Sequence, residues 1–332
     1  MGGTALGVQA DRMDVYTYTE LKNELLNYFS CESYMKVIPT YENKKSFGDM
    51  DIIYRNDIIY PNDIIKNLNE FPDDYITLLD YKKNGNVLSV LLNFDDSHNS
   101  GEYQVDFIGH SEDEYDFAYN YYSNGDKGNF IGRLARSVGL KFGHNGLFYI
   151  QYDKENPNHV LKEHLVTNDY QDALYILGFG VQGEPVFDEE EQIFEWITKS
   201  KLFNKEAFLF KNRPNKDVKR DQKRGAYLRF LEYIESADIE QHSVDKELFL
   251  KDLFKTYDLE ADIYKVYRQR EFDKKLKEVY NGQVVMDITD LQGKELGEFM
   301  KSFVDYVGSE QTILDLAKQG RLASKIYEFY LT

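Results

Sequence analysis

Apolar residues recur at helical spacing between Tyr18 and Phe29, where Leu21, Leu25, Leu26 and Phe29 share one side and predict a helix. The period then changes. Tyr34 to Pro39 reads as a short strand, Tyr41 to Lys45 as a polar loop, and the apolar run ending near Tyr54 as a second strand. Pro61 opens a helix with Ile64, Ile65 and Leu68 on one side. Tyr75 to Tyr81 and Val87 to Phe94 are apolar, β-branched runs, and Asn84-Gly85-Asn86 between them predicts a hairpin. A second turn, Ser97 to Gly101, leads into a strand carrying Asp106. Tyr115 to Tyr122 is an aromatic-rich helix, and Leu161 to Gly178 contains another with Ala173, Leu174, Ile176 and Leu177. Asp188-Glu189-Glu190-Glu191 is an acidic helix start, favourable to the helix dipole. From there on the pattern is mostly helical. Leu296, Phe299, Met300, Phe303 and Val307 form an apolar stripe that Ile313, Leu314, Ala317 and Leu322 continue, with Gly282 and Gly308-Ser309 separating helices.

This order predicts an α+β fold: an α/β-type core with a mixed sheet and helices, then a mostly helical C-terminal region. Three segments are expected, a core over 1–112, a connecting region over 113–188 and a helical region over 189–332.

Charge patterning singles out one stretch, Ser46-Phe47-Gly48-Asp49-Met50-Asp51-Ile52-Ile53-Tyr54. On a strand, residues two apart share a face, so Asp49 and Asp51 project together while Met50 and Ile52 point the other way. Two adjacent like charges repel unless a cation sits between them. Hard oxygen ligands at that spacing suit Mg²⁺. Asp106, flanked by Val105, Phe107 and Ile108, is an acid inside another apolar strand. Three acids on neighbouring strands predict a two-metal phosphoryl-transfer site. The other acids between Asp95 and Asp116 read as a solvated rim.

Gly2-Gly3 permits a tight turn whose backbone N–H groups approach a phosphate, and otherwise reads as a flexible start. Arg133 and Arg136, three apart on a predicted helix, suit a triphosphate, or else balance nearby carboxylates. Gly143-His144-Asn145-Gly146 predicts a hairpin turn, with His144 in it.

Composition narrows the partners. The 332-residue chain is long enough for two or three domains, and its formal charge of −18 argues against broad non-specific nucleic-acid binding. A local basic track survives that argument: Lys199 to Arg229 carries eleven Lys/Arg against three acids. Within it, Lys219, Arg220, Lys223 and Arg224, with Phe203, Phe208, Phe210, Tyr227 and Phe230 interleaved, are the expected polyanion contacts. A charged linker is the alternative. No apolar run approaches a membrane span, and Met1-Gly2-Gly3-Thr4-Ala5 lacks the basic start and apolar core of a signal peptide. The single cysteine, Cys31, excludes an intrachain disulfide and fits a reducing cytoplasm.

At Gly48-Asp49-Met50-Asp51-Ile52 the chain resembles the DNA polymerase β-like nucleotidyltransferase superfamily, with Gly2-Gly3, Asp49/Asp51 and Asp106 matching its glycine turn, D-x-D strand and later third acid in order. The resemblance covers residues 1–150. Asp290 to Lys301 is similar to a stretch in the helical tail of CCA-adding enzymes and bacterial poly(A) polymerases. The resemblance implies transfer of a nucleoside monophosphate from an NTP or dNTP to an acceptor hydroxyl with loss of pyrophosphate. It implies two Mg²⁺ ions, or Mn²⁺, on Asp49, Asp51 and Asp106, and nucleotide contacts from Gly2, Gly3, Ser46, Arg133 and Arg136. The expected acceptor is an RNA or DNA 3′ end extended without a template. The alternatives are a protein hydroxyl, oligonucleotide signal synthesis in antiphage defence, and a small molecule.

Overall fold

The computed structural model describes residues 3–29, 33–72, 75–95 and 100–332. In chain order the first elements are β1 (Met13–Asp14), α1 (Val15–Phe29), β2 (Met35–Val37), β3 (Ser46–Phe47), β4 (Met50–Arg55), α2 (Pro61–Asn69), β5 (Ile76–Asn84), β6 (Val87–Asp95) and β7 (Ser100–His110). They are followed by α3 (Glu112–Tyr122), α4 (Lys127–Ser137), β8 (Leu140–Gly143), β9 (Gly146–Tyr152), β10 (Val160–Thr167) and α5 (Tyr170–Ile176). The α-helices α6 (Glu190–Thr198), α7 (Asn215–Asp221), α8 (Gly225–Ser236) and α9 (Lys246–Thr256) come next. The last five are α10 (Glu260–Val279), α11 (Gly282–Thr289), α12 (Gly293–Val307), α13 (Glu310–Lys318) and α14 (Leu322–Tyr330). No helix among the described residues is long and apolar enough to cross a membrane.

The fold is α+β around a mixed five-stranded sheet of order β2-β4-β7-β6-β5. Only β4 and β7 run parallel; the other neighbours are antiparallel. A parallel pair needs a crossover, which α2 and the β5–β6 hairpin supply. Both faces of β4 are covered, which explains its nearly unbroken apolar run. Met50, Ile52 and Tyr54 face the core built from Leu21 and Leu25 of α1 and Ile64 and Leu68 of α2. Ile53 faces the other way, with Ile38, Ile108 and the α3 residues Tyr115 and Ala118. Helix α1 is started by the Asp14 carboxylate, which accepts the Thr17 N–H at 2.8 Å.

Two compact units emerge: Met1–Ile150 with Glu163–Tyr257, and Gln151–Lys162 with Asp258–Thr332. These divide the chain elsewhere than residues 112 and 188, because α6 to α8 share a core with α4. Phe130 of α4 meets Phe230 at 4.5 Å and Phe194 at 5.8 Å between ring centroids. The second unit has its own core of Tyr280, Val285, Phe303, Ile313, Leu322 and Ile326. The apolar stripe of α12 and its continuation meet there, separated by Gly308 in the left-handed region that ends α12.

Candidate active site

The sheet sets the geometry of the three acids. Asp51 on β4 and Asp106 on β7 are direct register partners on adjacent parallel strands. Such strands lie about 4.8 Å apart, so the two carboxylates rise side by side from one face. Asp49 lies just before β4, two residues from Asp51, and joins them. The three are part-buried.

Two of the acids, Asp49 and Asp106, are steadied by hydrogen bonds. The Gly3 N–H donates to the Asp49 carboxylate. Gly3 sits at φ +77°, and a Cβ there would lie 2.6 Å from the Gly48 carbonyl oxygen, so only glycine permits this approach. Asp106 accepts from the Ser89 hydroxyl on β6. It also accepts from Gln104 Nε2 at 2.9 and 3.1 Å, while Gln104 Oε1 takes the Ala5 N–H at 2.9 Å.

The electrostatics call for a cation. Burial, then Asp49 and Asp106, push Asp51 up to about 7, with Lys44 opposing. Burial raises Asp49 above the ordinary carboxylate value against Lys44, and raises Asp106 with the help of Asp49. Burial in turn holds Lys44 below the usual lysine value despite both acids. A hard, all-oxygen donor set with mutual repulsion fits Mg²⁺ or Mn²⁺ and offers nothing to a soft metal. Asp49, Asp51 and Asp106 are the residues that would hold it.

Two adjoining clefts meet at Asp49 and Asp51. One, of about 380 Å³, has aromatic walls from Tyr18, Phe47, Tyr121 and Tyr122. Tyr18 stacks on Phe47 with centroids 3.9 Å apart and planes 16° from parallel. Thr40 Oγ1 and Asn129 Nδ2 are buried at its lining without a hydrogen-bond partner among the described residues. Such atoms are costly unless a ligand or water pairs them. The second cleft, of about 660 Å³, is cationic, with Arg12, Arg220, Lys223, Arg224 and Arg229 on its walls.

The residues expected from sequence divide accordingly. Asp49, Asp51, Asp106 and Gly3 come together; Gly2 lies outside the described residues. Ser46 lines the cationic cleft, and its hydroxyl accepts from Arg12 Nε at 2.9 Å. Arg220, Lys223 and Arg224 line the same cleft, whereas Lys219 is exposed on α7 away from it. Arg220 donates to Asn129 Oδ1 at 3.0 Å and Arg224 to Asp126, while Lys223 makes no ion pair among the described residues. Arg133 and Arg136 line neither cleft. Arg133 is buried and donates to Asp217 at 2.9 Å and Asp221 at 3.5 Å, and Arg136 donates to Asp217 at 2.9 Å. The triphosphate role expected of this pair gives way to an ion-pair network joining α4 to α7. The aromatics interleaved with the basic track are also mostly elsewhere: Phe203, Phe208, Tyr227 and Phe230 are fully buried.

Sequence reasoning missed Arg12, Lys44, Tyr18, Tyr121, Gln104 and Ser89 as site residues. Gln104 alone left a trace, a polar residue two before Asp106 and hence on its face. No family model matches the chain, and no curated protein matches it in sequence.

Proposed function

We propose that this chain is a metal-dependent nucleotidyltransferase of the DNA polymerase β-like type. It moves a nucleoside monophosphate from an NTP or dNTP to an acceptor hydroxyl, and the acceptor is a nucleic-acid 3′ end extended without a template. One observation carries the reading. Asp49 and Asp51 line both the aromatic cleft and the cationic one, and Asp106 is the register partner of Asp51 on the next strand.

The roles follow from chemistry. Asp49, Asp51 and Asp106 would hold the divalent ions. When bound, the ions lower the pKa of the acceptor hydroxyl and neutralise charge on the phosphates. The aromatic cleft takes the nucleoside, with Tyr18, Tyr121 and Tyr122 against the base and Thr40 and Asn129 offering polar contacts. Lys44 lies beside the phosphates. Arg220, Lys223 and Arg224 hold the acceptor's phosphodiester backbone. The acceptor hydroxyl gives up its proton to solvent and its oxygen attacks the α-phosphorus in line; the new O–P bond forms as the α–β bridging O–P bond breaks, and pyrophosphate leaves with those electrons.

The test is incubation with Mg²⁺ and each labelled NTP and dNTP, with and without short RNA and DNA primers. The Asp49→Asn/Asp51→Asn variant runs alongside, and products are resolved on nucleic-acid and protein gels. The expected result is a primer ladder absent from the variant. Label on the protein band instead would move the acceptor to a protein hydroxyl. Equal labelling by the variant overturns the assignment.

A further inference from the structure

A second constellation lies on the same strand as Asp106 but away from the acids. His110 is the last residue of β7, four beyond Asp106 and on the same face, which at strand rise is about 13 Å further on. Glu114 stands in the first turn of α3, and His144 occupies the two-residue turn between β8 and β9. One ligand atom from each of the three lies within 4.8 Å of the other two. His110 is buried, and its Nδ1 is 3.1 Å from Glu114 Oε2. The imidazoles of His110 and His144 are 4.9 Å apart between centroids and tilted by 56°.

The second observation is an orphan. His144 Nδ1 is sealed from solvent and has no hydrogen-bond partner among the described residues. A buried ring nitrogen without a partner is costly, and a turn residue free to point outward has no reason to accept that cost.

We propose that His110, Glu114 and His144 bind one Zn²⁺-class ion, distinct from the hard cations of the Asp triad. Two imidazoles and a carboxylate are a zinc donor set with a fourth position open to water, and imidazole disfavours Mg²⁺. Ligands around tetrahedral zinc lie about 3.3 Å apart. Reaching that from the present spacing takes side-chain rotations at Glu114 and His144, both part-exposed. Asn86 Nδ2 lies 3.2 Å from His110 Nε2. Asn86 Nδ2 also donates to the Gly109 carbonyl at 3.2 Å, which fixes the amide beside the ring. The ion pins the β8–β9 turn to β7 and α3. Tyr121 and Tyr122, which end α3, line the aromatic cleft and have ring centroids 6.4 and 6.2 Å from His144.

The test uses the full chain without a histidine tag. It is equilibrated with Zn²⁺, dialysed against metal-free buffer and assayed for zinc by mass spectrometry, with far-UV circular dichroism confirming the fold of every variant. About one equivalent is expected in the wild type and in Asp49→Asn/Asp51→Asn, and a loss of at least about tenfold in affinity in His144→Ala and Glu114→Gln. Co²⁺ in place of zinc should give ligand-field bands that vanish in His144→Ala. Zinc absent from the wild type, or retained undiminished in both cluster variants, overturns the site. So does zinc lost only from the Asp variant, which would assign it to the Asp triad.

Discussion

Asp106 is held from behind by two groups, and one of them reaches further. Gln104 Nε2 donates to the carboxylate, within reach of both its oxygens, and Gln104 Oε1 takes the Ala5 N–H, tying the N-terminal segment to the acids. Gln104→Leu keeps the volume and removes the bonds. It should weaken Mg²⁺ binding about tenfold by calorimetry with little change in fold, and an unchanged affinity would remove Gln104 from the site. The acids themselves were legible in the sequence because a carboxylate inside an apolar strand is conspicuous, and two at i and i+2 share a face whatever surrounds them. Gln104, Lys44 and Tyr18 were not. Their roles depend on which strands pair and how α1 lies against β3, and no local spacing encodes either.

At the scale of elements, α4 and α7 show how a correct helix can be given the wrong partner. The spacing that puts Arg133 and Arg136 on one face is realised in α4, but the matching face is that of Asp217 and Asp221, four apart on α7. Asp221 is wholly buried and takes Arg213 and Arg220 as well. Sequence shows eleven cations in this region without showing which acids neutralise them. Arg133→Leu should therefore cost about 1.5 kcal/mol of stability in urea unfolding, since it removes the charge-assisted hydrogen bond to Asp217 while Arg136, Arg213 and Arg220 still neutralise both acids, and should leave nucleotide affinity unchanged. Lys223→Ala on the cleft wall should do the reverse. Stability stays within about 0.5 kcal/mol, primer binding weakens across all sequences, and the salt dependence of binding flattens by about one counterion. A loss of nucleotide binding in a stably folded Arg133→Leu would restore the arginine to the site.

For the whole molecule, an α+β fold with a mixed sheet was legible from period and turn signals, because those are local, whereas the strand order and the parallel β4–β7 pair were not. The division into units was not, since residues 163–257 join the first unit through contacts distant in sequence. The net charge of −18 makes the Asp triad part of a wider problem of self-repulsion, and pH exposes it. Asp51 titrates at about 7 in the folded chain against about 4 when unfolded, so the folded state holds a proton the unfolded state has released. That contribution is complete below about pH 4 and is lost as pH rises through about 7. The metal-free protein should lose Tm across this window, Asp51→Asn should flatten the loss, and Mg²⁺ should raise Tm more at about pH 8 than at about pH 5. Equal Mg²⁺ shifts at both would mean the acids do not bind the ion as a group. The most direct measurement is transfer of an α-phosphate label to an acceptor, counted against pyrophosphate released, for the wild type and for Asp106→Asn. The account predicts one pyrophosphate per nucleotide transferred, dependent on Mg²⁺ and lowered at least about 10³-fold in the variant. Transfer that persists in Asp106→Asn, or that proceeds undiminished in chelator, would contradict it.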